Sequence, residues 1–249
     1  MNEVAKFFDE VAANVEVLKS ETDLQSLSRI WLRLAIEKRY PYNFTWLGRP
    51  IIQYPQDIVA MQELIWSLQP ELIVETGIAH GGSLIFSASM LELNAACGGP
   101  ADARVVGIDI DIRAHNRAAI EAHPMFRRIT MIEGSSVAAD VVAQVRALVK
   151  GKQSVLVCLD SSHTHEHVFA ELEVYAPMTT VGSYCVVFDT IVEDLPAELS
   201  ADRPWGPGDN PKTAARRYLA GHSEFEIDHG IDHKLLIGVA PHGYLRRVR

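Results

Sequence analysis

Five short apolar runs of this chain each end on a carboxylate: Glu75, Asp109, Glu133, Asp160 and Asp189. A carboxylate can attract a cationic ligand, accept hydrogen bonds from hydroxyls, or share a hard divalent cation with a second carboxylate and water. Asp160 and Asp189 suit the last of these. Three histidines follow Asp160 in the segment Asp160-Ser161-Ser162-His163-Thr164-His165-Glu166-His167. The pattern is not H-E-x-x-H, which argues against a zinc protease. His165 and His167 read as the solvated start of a helix. His163, still in the loop, either reaches a substrate beside the cation and takes its proton near neutral pH, or caps that helix.

Around Glu75 the signal is denser. The run Leu72-Ile73-Val74 precedes Glu75-Thr76-Gly77-Ile78-Ala79-His80-Gly81-Gly82-Ser83, which opens an apolar-periodic segment. A strand, a glycine loop and a helix form a nucleotide-binding corner, because glycine allows a sharp turn and the helix offers its free N–H groups. The loop does not match the dinucleotide pattern G-x-G-x-x-G. A carboxylate two residues before the first glycine suits instead a ligand whose near end is cationic, such as the ammonium and sulfonium of S-adenosylmethionine. Alternatively, Glu75 caps the helix or pairs with a lysine. Asp109 lies 27 positions after Gly82, near the spacing at which an acid accepts both ribose hydroxyls, although a loop-capping role is open. Glu133-Gly134-Ser135 stands where an adenine edge would lie.

These residues need a scaffold, and the apolar pattern supplies one. Residues 1 to 40 show two helical sets. Residues 41 to 57 are rich in proline and aromatics and read as an irregular connector, either a tucked-down arm or the wall of a ligand cleft. A helix follows from about 56 to 68. Strands at 72–75, 104–111, 129–133, 154–160 and 184–189 then alternate with helices near 83–93, 113–122, 137–149 and 165–175. That order predicts a doubly wound, Rossmann-like α/β sheet with ligands outside the carboxyl ends of its strands. Residues 190–211 are too rich in Gly and Pro for regular structure and read as a lid. A helix at 212–219 and strands at 225–228, 235–240 and 244–248 complete one domain, with 1–57 as an N-terminal extension and 58–249 as the core.

Composition bounds the partners. The 249 residues carry a formal charge of −9 and no basic run, which disfavours nucleic acid. No segment has the roughly 18 uninterrupted apolar residues of a membrane span. The N-terminus lacks a signal-peptide core, and Cys97, Cys158 and Cys185 form no C-x-x-C pair; free thiols in a cytoplasmic protein are expected. The apolar N-terminal helices suggest a homo-oligomer.

From about Phe44 onward the chain resembles the cephalosporin hydroxylase and rhamnosyl O-methyltransferase family. The resemblance rests on Thr45-Trp46-Leu47-Gly48, the Val74–Ser83 corner, Gly107-Ile108-Asp109-Ile110-Asp111, the Asp160–His167 segment and Trp205-Gly206-Pro207-Gly208. It implies the class I methyltransferase fold, S-adenosylmethionine, Mg2+ and an O-methyl transfer to a sugar hydroxyl of a glycan or small-molecule natural product. It also implies a cofactor-binding set of Glu75, Thr76, Gly77, Ala79, Gly81, Ser83, Asp109, Glu133, Gly134, Ser135 and Asp160. Asp160 and Asp189 are then metal ligands and His163 is the general base. The chain departs from the family pattern at Phe188, where a Glu is usual, leaving the ion one carboxylate short. Two alternatives follow: a hydroxylase with Fe(II) on Asp160, His163 and a second His, or a subunit that binds S-adenosylmethionine without turnover.

Overall fold

The computed structural model describes residues 2–249. Five strands, β3 (Leu72–Thr76), β4 (Arg104–Asp109), β5 (Ile129–Glu133), β6 (Val155–Leu159) and β7 (Tyr184–Val187), lie parallel. β3 and β6 are buried at every residue, as continuous apolar runs must be when helices cover both faces. β8 (Phe225–Ile227) and β9 (Tyr244–Arg247) extend the sheet antiparallel, giving the order β5-β4-β3-β6-β7-β9-β8. The order in which successive strands are added reverses between β3 and β6, so a crevice opens at their carboxyl ends.

Strand alternation divides the core in two. Ile73, Val105, Leu156 and Val186 face α3 (Pro55–Leu68) and α4 (Gly82–Ala96), while Val74, Val106, Val157 and Val187 face α6 (Ala139–Val149), α7 (His165–Tyr175) and α8 (Pro211–Gly221). α5 (Ala114–Glu121) links β4 to β5.

The connector is more ordered than its composition predicts. β1 (Phe44–Trp46) and β2 (Arg49–Ile51) form a hairpin whose turn residues Leu47 and Gly48 both have positive φ, 44° and 84°. That matches the twist a two-residue turn needs, but Leu47 and the edge Pro50 hide it from a reading of residue types. The hairpin lies on α4, where the Trp46 indole N–H donates to Ser89 Oγ at 2.9 Å.

One expected strand is absent. Of the residues 235–240 expected as a strand, Leu235 ends the short helix α9 (His229–Leu235) and 236–240 follow it as an irregular segment. Asp228 starts α9 by accepting the Gly230 N–H at 3.0 Å, a cap that competes with strand pairing. Ahead of the core, α1 (Glu3–Ser20) buries no residue, and α2 (Thr22–Glu37) buries Ser28, Leu32 and Ala35. Among the described residues no helix is long and apolar enough to cross a membrane.

Candidate active site

A cavity of about 380 Å³ opens at the β3/β6 crevice. Its wall includes Gly77, Ala79 and Ser83 from the glycine corner, Asp160, Ser161 and His163 after β6, and Asp189 after β7. Both open alternatives for the connector hold at once. Tyr42, Pro50, Gln53 and Tyr54 line the cavity, while Tyr54 is also fully buried. The 190–211 segment contributes Ile191, Leu195, Arg203 and Trp205, held by 3-10 turns at Thr190–Asp194 and Ala197–Ser200.

Asp160, His163 and Asp189 converge: one donor atom from each lies within 4.8 Å of the others. β7 stops at Val187, and Asp189 takes a left-handed conformation (φ 53°) that turns its carboxylate toward β6. His163 Nε2 stands 3.1 Å from Asp189 Oδ2, so Nε2 carries the proton and Nδ1 is left as the basic nitrogen. Trp205 and the imidazole pack at right angles, 4.7 Å between ring centroids. Burial, and then the neighbouring Asp189 charge, push the Asp160 carboxyl well above the ordinary range. Two acids pressed together beside a cavity fit a hard cation, since oxygen donors and opposite charge are what such an ion requires. Phe188 is buried in the core and lines a small void with Glu75, Cys158 and Asp160. Among the described residues this rim holds one histidine in the cluster, not the two of a facial triad,.

On the other side of the crevice the acids serve the loop. Glu75 is 3 % exposed and accepts from the Ser83 hydroxyl and, at 3.4 Å, from Ser87 Oγ. Burial pushes it up to about 7 despite these hydroxyls. Asp109 Oδ2 accepts the Ile78 and Ala79 N–H groups at 2.8 and 3.3 Å. Glu133 is exposed and pairs with Arg117 at 2.6 Å. Thr76 is fully buried, and its carbonyl accepts the Asp160 N–H at 3.0 Å. Gly77 is required where it stands: a Cβ there would lie 2.0 Å from the Asp160 carbonyl oxygen. Gly81 has φ 82° and immediately precedes α4. Gly134 donates its N–H to the Asp109 carbonyl at 2.8 Å, and the Ser135 carbonyl accepts from Ala138.

Three residues escape a reading by motif. Arg49 of the hairpin donates to the His80 carbonyl and to Asn116 Oδ1, and Asn116 Nδ2 donates to the Ala79 carbonyl at 2.9 Å. The connector and α5 thus clamp the glycine loop, a contact that sequence distance conceals. Tyr54 has a buried hydroxyl without a hydrogen-bond partner among the described residues. Only the density of aromatics in residues 41–57 hinted at it.

The family model described as Rhamnosyl O-methyltransferase/CmcI matches residues 38–248. A protein of Mycobacterium leprae (strain TN) named rhamnosyl O-methyltransferase is 31% identical over 155 residues, covering 61% of this chain and 62% of its own length. A protein of the same name from Mycobacterium tuberculosis (strain ATCC 25618 / H37Rv) is 29% identical over 213 residues, covering 82% and 78%. The chain therefore matches less than two thirds of the length of the first relative and more than two thirds of the second. Among solved structures, CmcI with Mg and SAM superposes with a TM-score of 0.57 at 19% identity, covering 84% of this chain and 78% of that one. An O-methyltransferase from Bacillus cereus in complex with SAH gives 0.52 at 15% identity, covering 80% and 81%. These likenesses show the class I methyltransferase fold.

Proposed function

We infer the activity of this chain from one premise: it belongs to the Rhamnosyl O-methyltransferase/CmcI family. It is an S-adenosylmethionine-dependent O-methyltransferase whose acceptor is a sugar hydroxyl of a glycan or natural product. The observation that carries this reading is the meeting of Asp160, His163 and Asp189 on a cavity whose opposite wall is the glycine corner.

When bound, S-adenosylmethionine supplies the methyl group and Mg2+ supplies Lewis acidity to the acceptor hydroxyl. Asp160 and Asp189 would hold the ion. Thr76 at the end of β3 and the Gly77–Ser83 loop, with Ala79 and Gly81 in it, would take the methionine end. Asp109 and the Glu133-Gly134-Ser135 segment would take the nucleoside. His163 Nδ1 accepts the hydroxyl proton, and Asp189 steadies the ring through Nε2, favouring the imidazolium that forms. Trp205 excludes water from His163. Much of the acceleration then comes from holding donor and acceptor in line.

Self-association through α1 and α2 belongs to the same reading, because Phe7, Phe8, Leu27 and Ile30 are exposed and apolar patches of this kind mark contact surfaces. The charge of −9 supports an uncharged or small acceptor rather than nucleic acid, and the free thiols support a reducing, cytoplasmic setting. The test is transfer of label from methyl-labelled S-adenosylmethionine to a rhamnosyl acceptor, with and without Mg2+. Transfer that chelation abolishes supports the reading. Absence of transfer across rhamnosyl acceptors, together with no cofactor binding, overturns it.

A further inference from the structure

His229 and Asp232 stand three residues apart on α9, so helical geometry sets them on one face. The chain then folds back, and the turn before β9 brings in His242. Asp232 Oδ2 lies 3.6 Å from His229 Nδ1 and 3.9 Å from His242 Nε2. All three donor atoms fall within 4.8 Å of one another. Around a tetrahedral zinc ion with bonds of about 2.0–2.1 Å, neighbouring ligand atoms stand roughly 3.4 Å apart. The two measured separations close to that value with shifts of a few tenths of an ångström, which the exposed His229 and the half-buried His242 can make by ring rotation.

The arrangement is braced as metal sites are. The backbone N–H of His242 donates to both Asp232 oxygens, at 3.0 and 3.1 Å, which fixes the carboxylate beside the His242 ring. His242 is held at φ 64°, a left-handed conformation uncommon outside glycine. On its two sides, the Pro241 carbonyl accepts from Thr190 Oγ1 at 2.8 Å, and a Cβ on Gly243 would lie 2.1 Å from the Val187 carbonyl oxygen. The turn is thus clamped to the end of β7.

We propose that His229, Asp232 and His242 form a zinc-binding site separate from the Asp160–His163–Asp189 rim. Two imidazoles and one carboxylate favour a borderline transition ion over magnesium, which prefers oxygen donors. Water completes the coordination. The ion ties the start of α9 to the turn entering β9, and through the Pro241 carbonyl to Thr190, the residue beside Asp189.

Zinc titration of the chelator-treated Asp160→Asn variant, followed by calorimetry, isolates this site from the rim. The expected result is one zinc ion per chain, with affinity lowered at least about 100-fold by adding His229→Gln or, separately, His242→Gln. Cobalt(II) provides a second readout: a tetrahedral visible absorption band present in Asp160→Asn and lost with His229→Gln. No zinc binding in Asp160→Asn, or binding and spectra that both histidine substitutions leave unchanged, overturns the proposal.

Discussion

Asp109 Oδ2 accepts the backbone N–H of Ile78 at 2.8 Å, so the acid that ends β4 fastens the first turn of the glycine loop after β3. The same carboxylate accepts from Ala79 and Asp111. Hydrogen bonds to a charged group are worth about 1.5–3 kcal/mol each, and partial exposure here reduces that. Asp109→Ala is expected to destabilise the ligand-free chain by about 2 kcal/mol and abolish the thermal shift produced by S-adenosylmethionine. Asp109→Asn, which keeps an acceptor, retains most of the stability and loses the shift. If Asp109→Asn binds S-adenosylmethionine as the parent chain does, the nucleoside does not lie there.

His163 and Asp189 act as a unit in proton removal. His163→Gln is expected to lower kcat by about 10²–10⁴-fold while leaving S-adenosylmethionine affinity unchanged. Asp189→Asn weakens both Mg2+ binding and ring orientation, so its combination with His163→Gln is far from additive. Additive losses measured in the double variant would separate the two roles.

Glu75 sits at about 7 in the folded chain against an ordinary 4.5, because of burial. The folded chain therefore holds this proton longer than the unfolded chain. Stability is full below the unfolded value and is lost as pH rises toward 7, by about 3 kcal/mol for that difference. Asp57, also pushed to about 7 by burial, moves stability in the same direction. Urea unfolding at about pH 5 and about pH 8 should show the drop, and Glu75→Gln should shrink it. An unchanged slope in Glu75→Gln would assign the effect elsewhere.

Phe188 shares a small void with Glu75 and Asp160. Phe188→Glu places another carboxylate among acids in the core, at a cost of about 3–5 kcal/mol when unpaired. Mg2+ should recover part of that loss and bind more tightly than to the parent chain. A melting temperature indifferent to Mg2+ would mean that position 188 does not face the ion.

Phe8→Glu with Leu27→Glu adds charge to an exposed apolar surface and should reduce the mass seen by light scattering without lowering the melting temperature. A parent chain that is already monomeric at high concentration would refute self-association through these helices.

Local pattern determined the core of this protein. Apolar runs such as Leu72–Val74 and Val155–Leu159 must be buried on both faces, and alternation with helices then forces a doubly wound sheet, so the terminal carboxylates share one rim. The glycine corner and the Asp160–His163 segment were legible because their chemistry depends on close spacing along the chain. Tertiary structure decided what depends on distant partners. Leu47, with φ 44°, turns a hairpin that residue types disguise, and that hairpin sends Arg49 to the His80 carbonyl 31 positions away. It also decided that Leu235–Ala240 would not pair as a strand, because the Asp228 cap starts α9 and Tyr244–Arg247 fills the place beside β7. Contacts of that range depend on which surfaces meet once the layers pack, and no short stretch of sequence contains both sides.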